Sequence, residues 1–189
     1  MPKVKITKDM IVDAAFALAR EQGIEKVNAR TVAQRLGCST QPVMYQFAAI
    51  ADMKRAVYEK ADWFHTEYLL NVGEPREGPL LGIGLNYIRF ATEEPHLFRF
   101  LFQSGSAVER SLPEMIDSEA LVPVLAAMQD AMGLELAQVK EVFLTIALFA
   151  HGYASIIANN SLEYEEGTVA AHLERAYRGA VLAVQEEAE

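Results

Sequence analysis

Apolar residues recur every three or four positions along most of the chain, which is the spacing of one face of an α-helix. Alternating runs of β-branched residues bounded by turns, which would indicate strands, do not stand out. The pattern therefore predicts an all-α fold of about nine helices. The predicted helices span residues 8–22, 29–36, 40–47, 52–70, 80–93, 95–103, 113–132, 135–158 and 168–187.

Residues 28–47, NARTVAQRLGCSTQPVMYQF, have the pattern of a helix-turn-helix. Ala33 supplies the small side chain that two steeply crossing helices need, and Gly37 tolerates the positive φ of a tight reversal. Ser39 is expected to cap the second of these helices through its hydroxyl, with Pro42 in the first turn. Such a rigid unit can hold its second helix in a DNA major groove.

The helix before this motif is expected to complete a three-helix bundle. Thr7 and Asn28 can cap the first two helices, and Gly23 ends the first one. The predicted core of the bundle consists of Ile11, Leu18, Val27, Val32, Leu36, Val43 and Phe47.

Polar and Gly/Pro-rich segments separate the longer helices that follow. The clearest break is GEPREGP at residues 73–79, and a loop is predicted at 104–112 and a polar turn at 159–167. The helix predicted over residues 113–132 is expected to break near Pro123. A long helix follows the three-helix bundle directly, which indicates a division of the chain near residue 50.

The charge distribution changes what the composition implies. The chain has 189 residues, 51% of them hydrophobic and 23% charged, which is typical of a globular protein. The formal net charge of -9 argues against binding to nucleic acid. However, residues 1–47 carry seven Lys/Arg against four Asp/Glu, whereas residues 71–189 carry seven against eighteen. A basic N-terminal segment on an acidic body indicates a part that binds a polyanion.

Cysteine content and hydropathy favour a cytoplasmic protein. Cys38 is the only cysteine, so no intrachain disulfide can form, and we expect a buried thiol in a reducing compartment. The N-terminal residues lack the apolar core of a signal peptide. The most apolar stretch, residues 142–158, contains His151 and lacks flanking positive charge, so we interpret it as a buried helix rather than a membrane span.

With these features in place, residues 5 to about 65 resemble the DNA-binding domain of the TetR family of bacterial transcriptional regulators. The segment EQGIEKVNARTVAQRLGCS, residues 21–39, and the aromatic end of the third helix at Phe47 carry the likeness. FAHGYASIIANN, residues 149–160, is similar to a helix with a His-Gly pair in one group of these regulators. The resemblance implies a helix-turn-helix DNA-binding domain at residues 1–50. It implies a helical effector-binding and dimerisation domain at residues 51–189.

The recognition helix departs from the family pattern, which implies a distinct operator. Gln41 and Pro42 stand where Gly and Thr are usual. Met44 takes the place of a frequent phosphate-contacting tyrosine, with Tyr45 one position later. Ile50 replaces a frequent lysine, although Lys54 lies one turn further on.

Glutamines on the third helix are the best candidates for reading bases, because an amide can pair bidentately with adenine. Gln41 in the first turn is the stronger candidate and Gln46 the weaker, the alternative being solvated surface residues. Hydroxyls and cations nearby could contact phosphates. Tyr45 could instead pack against the first helix. The predicted DNA-binding residues are Arg30, Thr31, Ser39, Thr40, Gln41, Pro42, Tyr45, Gln46 and Lys54.

Large apolar side chains in the C-terminal part are core residues by default, and some could line an apolar effector cavity. Asn86, His151 and Tyr153 could be its polar handles. His151 interrupts a very apolar helix, so its imidazole needs a partner from protein, water or ligand. The predicted effector-binding residues are Trp63, Tyr87, Phe90, Phe98, Phe102, Met128, Phe143 and His151.

Small residues in the last two helices allow close approach of another helix. They include Ala147, Ala150, Gly152, Gly179 and Ala180. The resemblance implies that these two helices form a four-helix interface in a homodimer. The alternative is packing within one chain alone.

The sequence offers no catalytic or metal-binding pattern. The four histidines lack the spacing of metal ligands, and no nucleophile adjoins a base. Ser39 fits a helix cap better than a nucleophile, and Glu93 and Glu94 fit a solvated helix end. We therefore expect neither an enzyme nor a protein with a cofactor or metal.

These observations and the resemblance imply a ligand-responsive, sequence-specific DNA-binding regulator. It is expected to act as a repressor that a small, mostly apolar effector releases from a palindromic DNA operator. The alternative is a helical small-molecule-binding or scaffold protein that no longer binds DNA by itself. The acidic net charge and the departures at Met44 and Ile50 favour that alternative.

Overall fold

Ten α-helices and two short 3-10 helices make up the described part of the chain, which contains no β-strand. The structure is a computed structural model, and it describes residues 6–71, 79–105, 112–160 and 162–187. The 3-10 helices are Ile24–Lys26 and Glu119–Leu121. The α-helices are α1 (Lys8–Gln22), α2 (Ala29–Arg35), α3 (Thr40–Gln46), α4 (Ile50–Leu70), α5 (Pro79–Glu93), α6 (Pro95–Phe102), α7 (Leu112–Ile116), α8 (Val122–Met132), α9 (Leu136–Asn160) and α10 (Glu166–Glu186).

The all-α prediction is confirmed, and the helix predicted over residues 113–132 is divided, as expected. That segment forms α7, the second 3-10 helix and α8. The expected break near Pro123 is confirmed, since Pro123 lies in the first turn of α8, where its missing N–H has no helical partner to lose. The break lies before it, where Ser118 has an extended backbone (φ -66°, ψ 144°).

Three predicted connections differ in part from the structure or lie outside its described residues. Of the break at residues 73–79, only Pro79 is described, and it begins α5. Residues 106–111 of the loop predicted at 104–112 are not described, and residue 112 begins α7. The last connection is shorter than predicted, since α9 continues to Asn160 and α10 begins at Glu166.

The chain divides into two compact units that are not consecutive along the sequence. The first unit comprises Met1–Glu67 and Glu94–Ser106, and the second comprises Tyr68–Glu93 and Ala107–Glu189. The first unit therefore takes in most of α4 and all of α6, beyond the division expected near residue 50. The functional division into residues 1–50 and 51–189 stays a prediction.

The core of the first unit agrees closely with the apolar pattern. Ile11 on α1 and Val32 on α2 are fully buried, and α1 packs against α2, α3 and α6. Leu36 is the exception, because it follows the last turn of α2 and is only half-buried. The predicted core residues that are buried are Ile11, Leu18, Val27, Val32, Val43 and Phe47.

In the second unit α9 packs against α5, α8 and α10. Gly84 permits a close approach of α5 to α10, since a Cβ there would lie 2.5 Å from Leu173 Cδ2. A hydrophobic cluster joins α8 to the beginning of α9 and to the end of α10. Its buried members are Leu125, Met128, Val139, Val142, Ala180 and Val184.

Helix α9 is less buried than its composition predicts. It is the one helix among the described residues that is long and apolar enough to cross a membrane, which alone is weak evidence for a span. Only 28% of its most apolar 18-residue window is buried. The prediction of a buried helix at residues 142–158 therefore holds only in part, because Thr145, Leu148, Gly152 and Ile156 are exposed in the described part of the chain.

Candidate nucleic-acid interface

The start of α2 is fixed by a reciprocal pair of caps. The side-chain oxygen of Asn28 accepts hydrogen bonds from the backbone amides of Arg30 (3.0 Å) and Thr31 (3.1 Å). In return, the backbone amide of Asn28 donates to Thr31 Oγ1 (3.2 Å). This capping box satisfies amides that have no helical partner, so the predicted start of α2 is confirmed.

The turn between α2 and α3 has the predicted backbone but not the predicted cap. Gly37 has φ 64°, and the amide of Cys38 donates to the carbonyl of Ala33 (3.0 Å). Ser39 occupies the N-cap of α3, but its hydroxyl makes no capping hydrogen bond. One reason is that Pro42 stands at the third helical position and has no N–H to offer.

Helix α3 presents an exposed side, which a DNA-binding helix-turn-helix requires. Tyr45 is 87% exposed and Met44 45% exposed, while Val43 is buried against the rest of the bundle. The alternative in which Tyr45 packs against α1 is therefore excluded. Of the other predicted contacts on or before α3, Ser39, Thr40 and Gln41 are exposed, and Pro42 and Gln46 are half-buried.

The predicted phosphate contacts near α2 and α4 differ in their availability. Arg30 is exposed and Lys54 is half-buried. The Thr31 hydroxyl already donates to the carbonyl of Lys26 (2.6 Å), so its predicted role as a phosphate donor conflicts with this geometry. Sequence reasoning passed over Lys26 and Arg55, which are exposed cations beside Asn28 and on α4.

Ion pairs hold the helices behind this surface in place. Arg35 on α2 donates to both carboxylate oxygens of Glu21 on α1 (2.7 and 2.6 Å). That hydrogen bonding raises the pKa of Arg35 and lowers the pKa of Glu21. Lys60 on α4 pairs with Asp13 on α1. Arg35 therefore serves the packing of the bundle, which its basic side chain alone did not reveal.

The predicted effector-binding residues are divided between the two units, so they do not all lie in the same unit. Trp63 is 62% exposed on α4, whereas Phe98 is fully buried and packs against Phe102 at 5.2 Å between ring centroids. Their role in effector binding stays a prediction. Trp63, Phe98 and Phe102 lie in the first unit, and Tyr87, Phe90, Met128, Phe143 and His151 lie in the second.

Three polar side chains meet between α5 and α9. Tyr87 Oη lies 2.9 Å from His151 Nδ1, and Ser155 Oγ lies 3.3 Å from His151 Nε2. Burial raises the pKa of Tyr87 and lowers the pKa of His151 from its ordinary value, so it favours the neutral form of both side chains. His151 thus has partners within the protein. The third predicted handle, Tyr153, is half-buried with its ring 6.2 Å from that of His172.

Asn86, predicted as a polar handle for an effector, instead closes the end of α4. Its side-chain amide is buried and donates to the backbone carbonyls of Tyr68, Leu69 and Asn71, each at 3.2 Å. Its oxygen accepts from Arg89 Nη1 (3.2 Å). The last carbonyls of a helix lack intrahelical donors, so Asn86 supplies what α4 needs.

The prediction that Glu93 and Glu94 are a solvated helix end is wrong for Glu94. Glu94 is 7% exposed, and Arg20 Nε lies 2.9 and 2.8 Å from its two carboxylate oxygens. Arg20 Nη2 donates to the same carboxylate. A buried carboxylate needs such a partner, which lies 74 positions earlier in the chain and could not be read from the local sequence.

The described residues contain no group of three side chains arranged to hold a metal ion. What the first unit does offer is a helix-turn-helix whose first helix, α2, is capped and whose second helix, α3, has an exposed side. The second unit consists of further helices. This arrangement defines the class of two-part DNA-binding regulators.

The family comparison supports the same assignment. The family model described as "Tetracyclin repressor-like, C-terminal domain" matches residues 80–180, which is more than half of the chain. The chain therefore belongs to the TetR family and is a TetR-type transcriptional regulator. No curated protein sequence matches it.

Proposed function

We propose that this regulator is a homodimeric repressor that binds a palindromic DNA operator and leaves it when a small, mostly apolar effector binds. The exposed side of α3 is the observation that carries the proposal. Gln41 and Tyr45 project from a helix whose opposite side is anchored by buried Val43. A helix held in this way can enter the major groove, and two copies can read two half-sites.

The distribution of charge supports DNA binding by the first unit. That unit carries eleven Lys/Arg and nine Asp/Glu, whereas the second carries six and seventeen. The net charges are therefore +2 and -11. The acidic charge that argued against nucleic acid belongs to the second unit, which weakens the case for a scaffold protein that does not bind DNA.

The uncovered side of α9 supports a dimer through the last two helices. Leu148, Gly152 and Ile156 are four residues apart, so they share a side of α9, and all three are exposed. On α10, Gly179 and Leu182 are exposed as well. A Cβ added at either glycine would meet no heavy atom within 4 Å, so both positions offer room for a partner helix. A second copy is the partner that symmetry favours.

The second unit also supports an effector site that combines apolar surface with a few polar groups. Tyr87, His151 and Ser155 form such a polar group on α5 and α9. An effector can change operator affinity only if it binds the two conformations with different affinities. A coupling of about 1–3 kcal/mol would change operator affinity roughly 5- to 150-fold. The protein would act in the cytoplasm, where its operator lies.

Selection of bound sites from a random duplex library, at near-physiological salt, tests the proposal. We expect an enriched inverted repeat whose half-sites are spaced by whole helical turns. Absence of enrichment from folded, dimeric protein would overturn DNA binding by the protein alone and favour the scaffold alternative. Repeating the selection with cell extract then separates a scaffold protein from a regulator that requires its effector to bind.

A further inference from the structure

Met44 is an exposed apolar side chain on the same side of α3 as Gln41. It is 45% exposed, although it is a large hydrophobic residue. Residues three and four apart on a helix are neighbours, so Gln41, Met44 and Tyr45 form one surface, and all three are exposed. Val43 and Phe47 are also four apart, and both are buried. An apolar side chain therefore stands in the α3 surface, Gln41, Met44 and Tyr45, that the proposed function directs toward DNA.

The α3 surface lies within an uncharged stretch of the chain. Residues 36–51 contain no Lys, Arg, Asp or Glu, and α3 itself has the sequence TQPVMYQ. The commonest specific contact to guanine uses Arg or Lys, and the cytosine amino group is contacted by Glu or Asp. This helix therefore lacks the side chains that best identify G·C pairs, and it keeps an amide, that of Gln41, which suits adenine.

The groups on the base edges decide what an apolar side chain can contact in the major groove. Guanine, adenine and cytosine present hydrogen-bond donors and acceptors there, whereas thymine presents a C5-methyl group beside its acceptor. Removal of apolar surface from water is favourable when another apolar group covers it. The thymine methyl is such a group, and the flexible, polarisable side chain of methionine can adapt its shape to it.

We propose that Met44 specifies a thymine in each half-site of the operator through contact with the C5-methyl group. Gln41 and Met44 are separated by about 4.5 Å along the helix axis, and base pairs are stacked about 3.4 Å apart. The thymine is therefore expected within about two base pairs of the position that Gln41 specifies. This inference rests on the proposed function and names what the α3 surface recognises. The departure at Met44, which favoured a protein without DNA binding, then becomes a determinant of the operator.

Removal of single methyl groups from the operator tests the contact. The operator is the site selected with the full-length protein, and each thymine is replaced in turn, in both half-sites, by deoxyuridine, which lacks only the methyl. At one thymine of each half-site we expect the Kd of the wild type to rise about fourfold for each methyl lost, the scale of one buried methylene group. Met44→Ala should bind the unmodified operator more weakly and should not respond to that replacement. Equal responses of the two proteins at every thymine would overturn the proposal.

Three further variants separate a methyl contact from a general change in the α3 surface. Met44→Leu keeps an apolar side chain and should keep most of the methyl response, whereas Met44→Gln has a polar chain of similar length and should lose it. Tyr45→Phe removes a hydroxyl from the same surface and should keep the response. Because Met44 and Tyr45 are exposed, all of these variants are expected to fold, which circular dichroism checks. A response lost in Tyr45→Phe as fully as in Met44→Ala would contradict the assignment to Met44.

A methylated cytosine turns the test into a gain of binding. Replacing the critical T·A pair by C·G removes the methyl group, and 5-methylcytosine then returns a methyl to the same edge of the groove. We expect this methylation to restore about fourfold in affinity to the wild type and nothing to Met44→Ala. If both proteins gain alike, another group contacts the methyl and the proposal fails.

The outcomes distinguish this inference from the proposed function. Absence of any enriched site from folded, dimeric protein would overturn both together. An enriched inverted repeat without a methyl group that depends on Met44 would overturn only the thymine contact. The same holds for a repeat in which every position that responds to substitutions in α3 is a G·C pair. In either case binding to a palindromic operator would stand.

Discussion

The side-chain amide of Asn86 lies 3.2 Å from the carbonyl oxygen of Tyr68, and this contact joins α5 to the end of α4 within the second unit. The same amide reaches the carbonyls of Leu69 and Asn71. The last carbonyls of a helix need donors that its own backbone cannot supply. A polar residue in the apolar face of α5 thus has a structural reason to be there.

Replacing Asn86 by Ala is therefore expected to lower the free energy of unfolding by about 1–3 kcal/mol, because three carbonyls in a partly buried contact lose the donor that the buried Asn86 amide supplies. Urea unfolding at pH 7.5 measures this loss. The matched control is Asn159→Ala, which removes an exposed amide bonded to the carbonyl of Ser155. We expect the control to stay within about 0.5 kcal/mol of the wild type. Equal losses in the two variants would contradict the special role of Asn86.

His65 is expected to make the protein less stable in mild acid. Burial on α4 lowers its pKa to about 4. The unfolded chain binds a proton near pH 6.5, so the folded state loses relative stability as pH falls from about 6.5 toward 4, and keeps it above that window. At pH 5 the cost is about 2 kcal/mol.

The measurement is the difference in unfolding free energy between pH 7.5 and pH 5 for the wild type and for His65→Gln. The variant is expected to lose about 2 kcal/mol less than the wild type over this interval. Other titrating groups are common to both proteins and cancel in the comparison. An identical pH dependence would show that His65 is not neutral in the folded state.

Gly152 provides a test of the dimer that leaves the single chain intact. A Cβ at Gly152 would meet no heavy atom of its own chain within 4 Å beyond the backbone of its own helix turn, and Leu is a better helix former than Gly. We expect Gly152→Leu to keep its helical circular dichroism and to sediment as a monomer at micromolar concentration. Ala127→Leu, an exposed change on α8, is expected to remain dimeric. A dimeric Gly152→Leu would place the interface elsewhere.

Gln41 is expected to specify a base in the operator. Gln41→Ala should lose discrimination of about 1–3 kcal/mol at one position of each half-site and keep the preference at the others. Repeated site selection with the variant measures this change. Gln34→Ala, an exposed glutamine on α2, is the control and should return the wild-type site. An unchanged site for Gln41→Ala would remove Gln41 from the base contacts.

Arg30 is expected to contact a phosphate, because it is exposed in the first turn of α2. Arg30→Ala should weaken binding to all sequences alike and reduce the slope of log K against log salt by about 0.9 for each phosphate contact that is lost. Operator titrations measure this slope at salt concentrations from roughly 50 to 200 mM, where the dependence of binding on salt is large. The Gln34→Ala control should keep the wild-type slope, and an unchanged slope for Arg30→Ala would contradict the contact.

The local structure of the first unit was predictable because it depends on residues within one or two turns of each other. Thr7 accepts from the amide of Met10 (3.2 Å) and caps α1 as predicted, and Gly37 takes the positive φ that the turn requires. The uncapped Ser39 shows the limit of this reasoning. A good capping residue does not suffice when a proline removes the amide it would bond.

The candidate effector site was the least predictable part. Aromatic residues at helical spacing, such as Phe90 and Phe98, look the same in sequence whether they fill a core or line a cavity. Both are fully buried, and they lie in different units. The composition of α9 predicted a buried helix, but burial depends on what surrounds a helix, and one side of α9 is exposed in the single chain.

The helices, two of the caps and the helix-turn-helix could be predicted from the residue pattern, because side-chain periodicity and capping are properties of neighbouring residues. By contrast, three features became visible only in the folded chain: α6 belongs with the first unit, Asn86 closes α4, and Arg20 holds Glu94. Those contacts join residues from 15 to 74 positions apart. Partners at such separations are selected by the packing of the whole chain, and no local pattern encodes them.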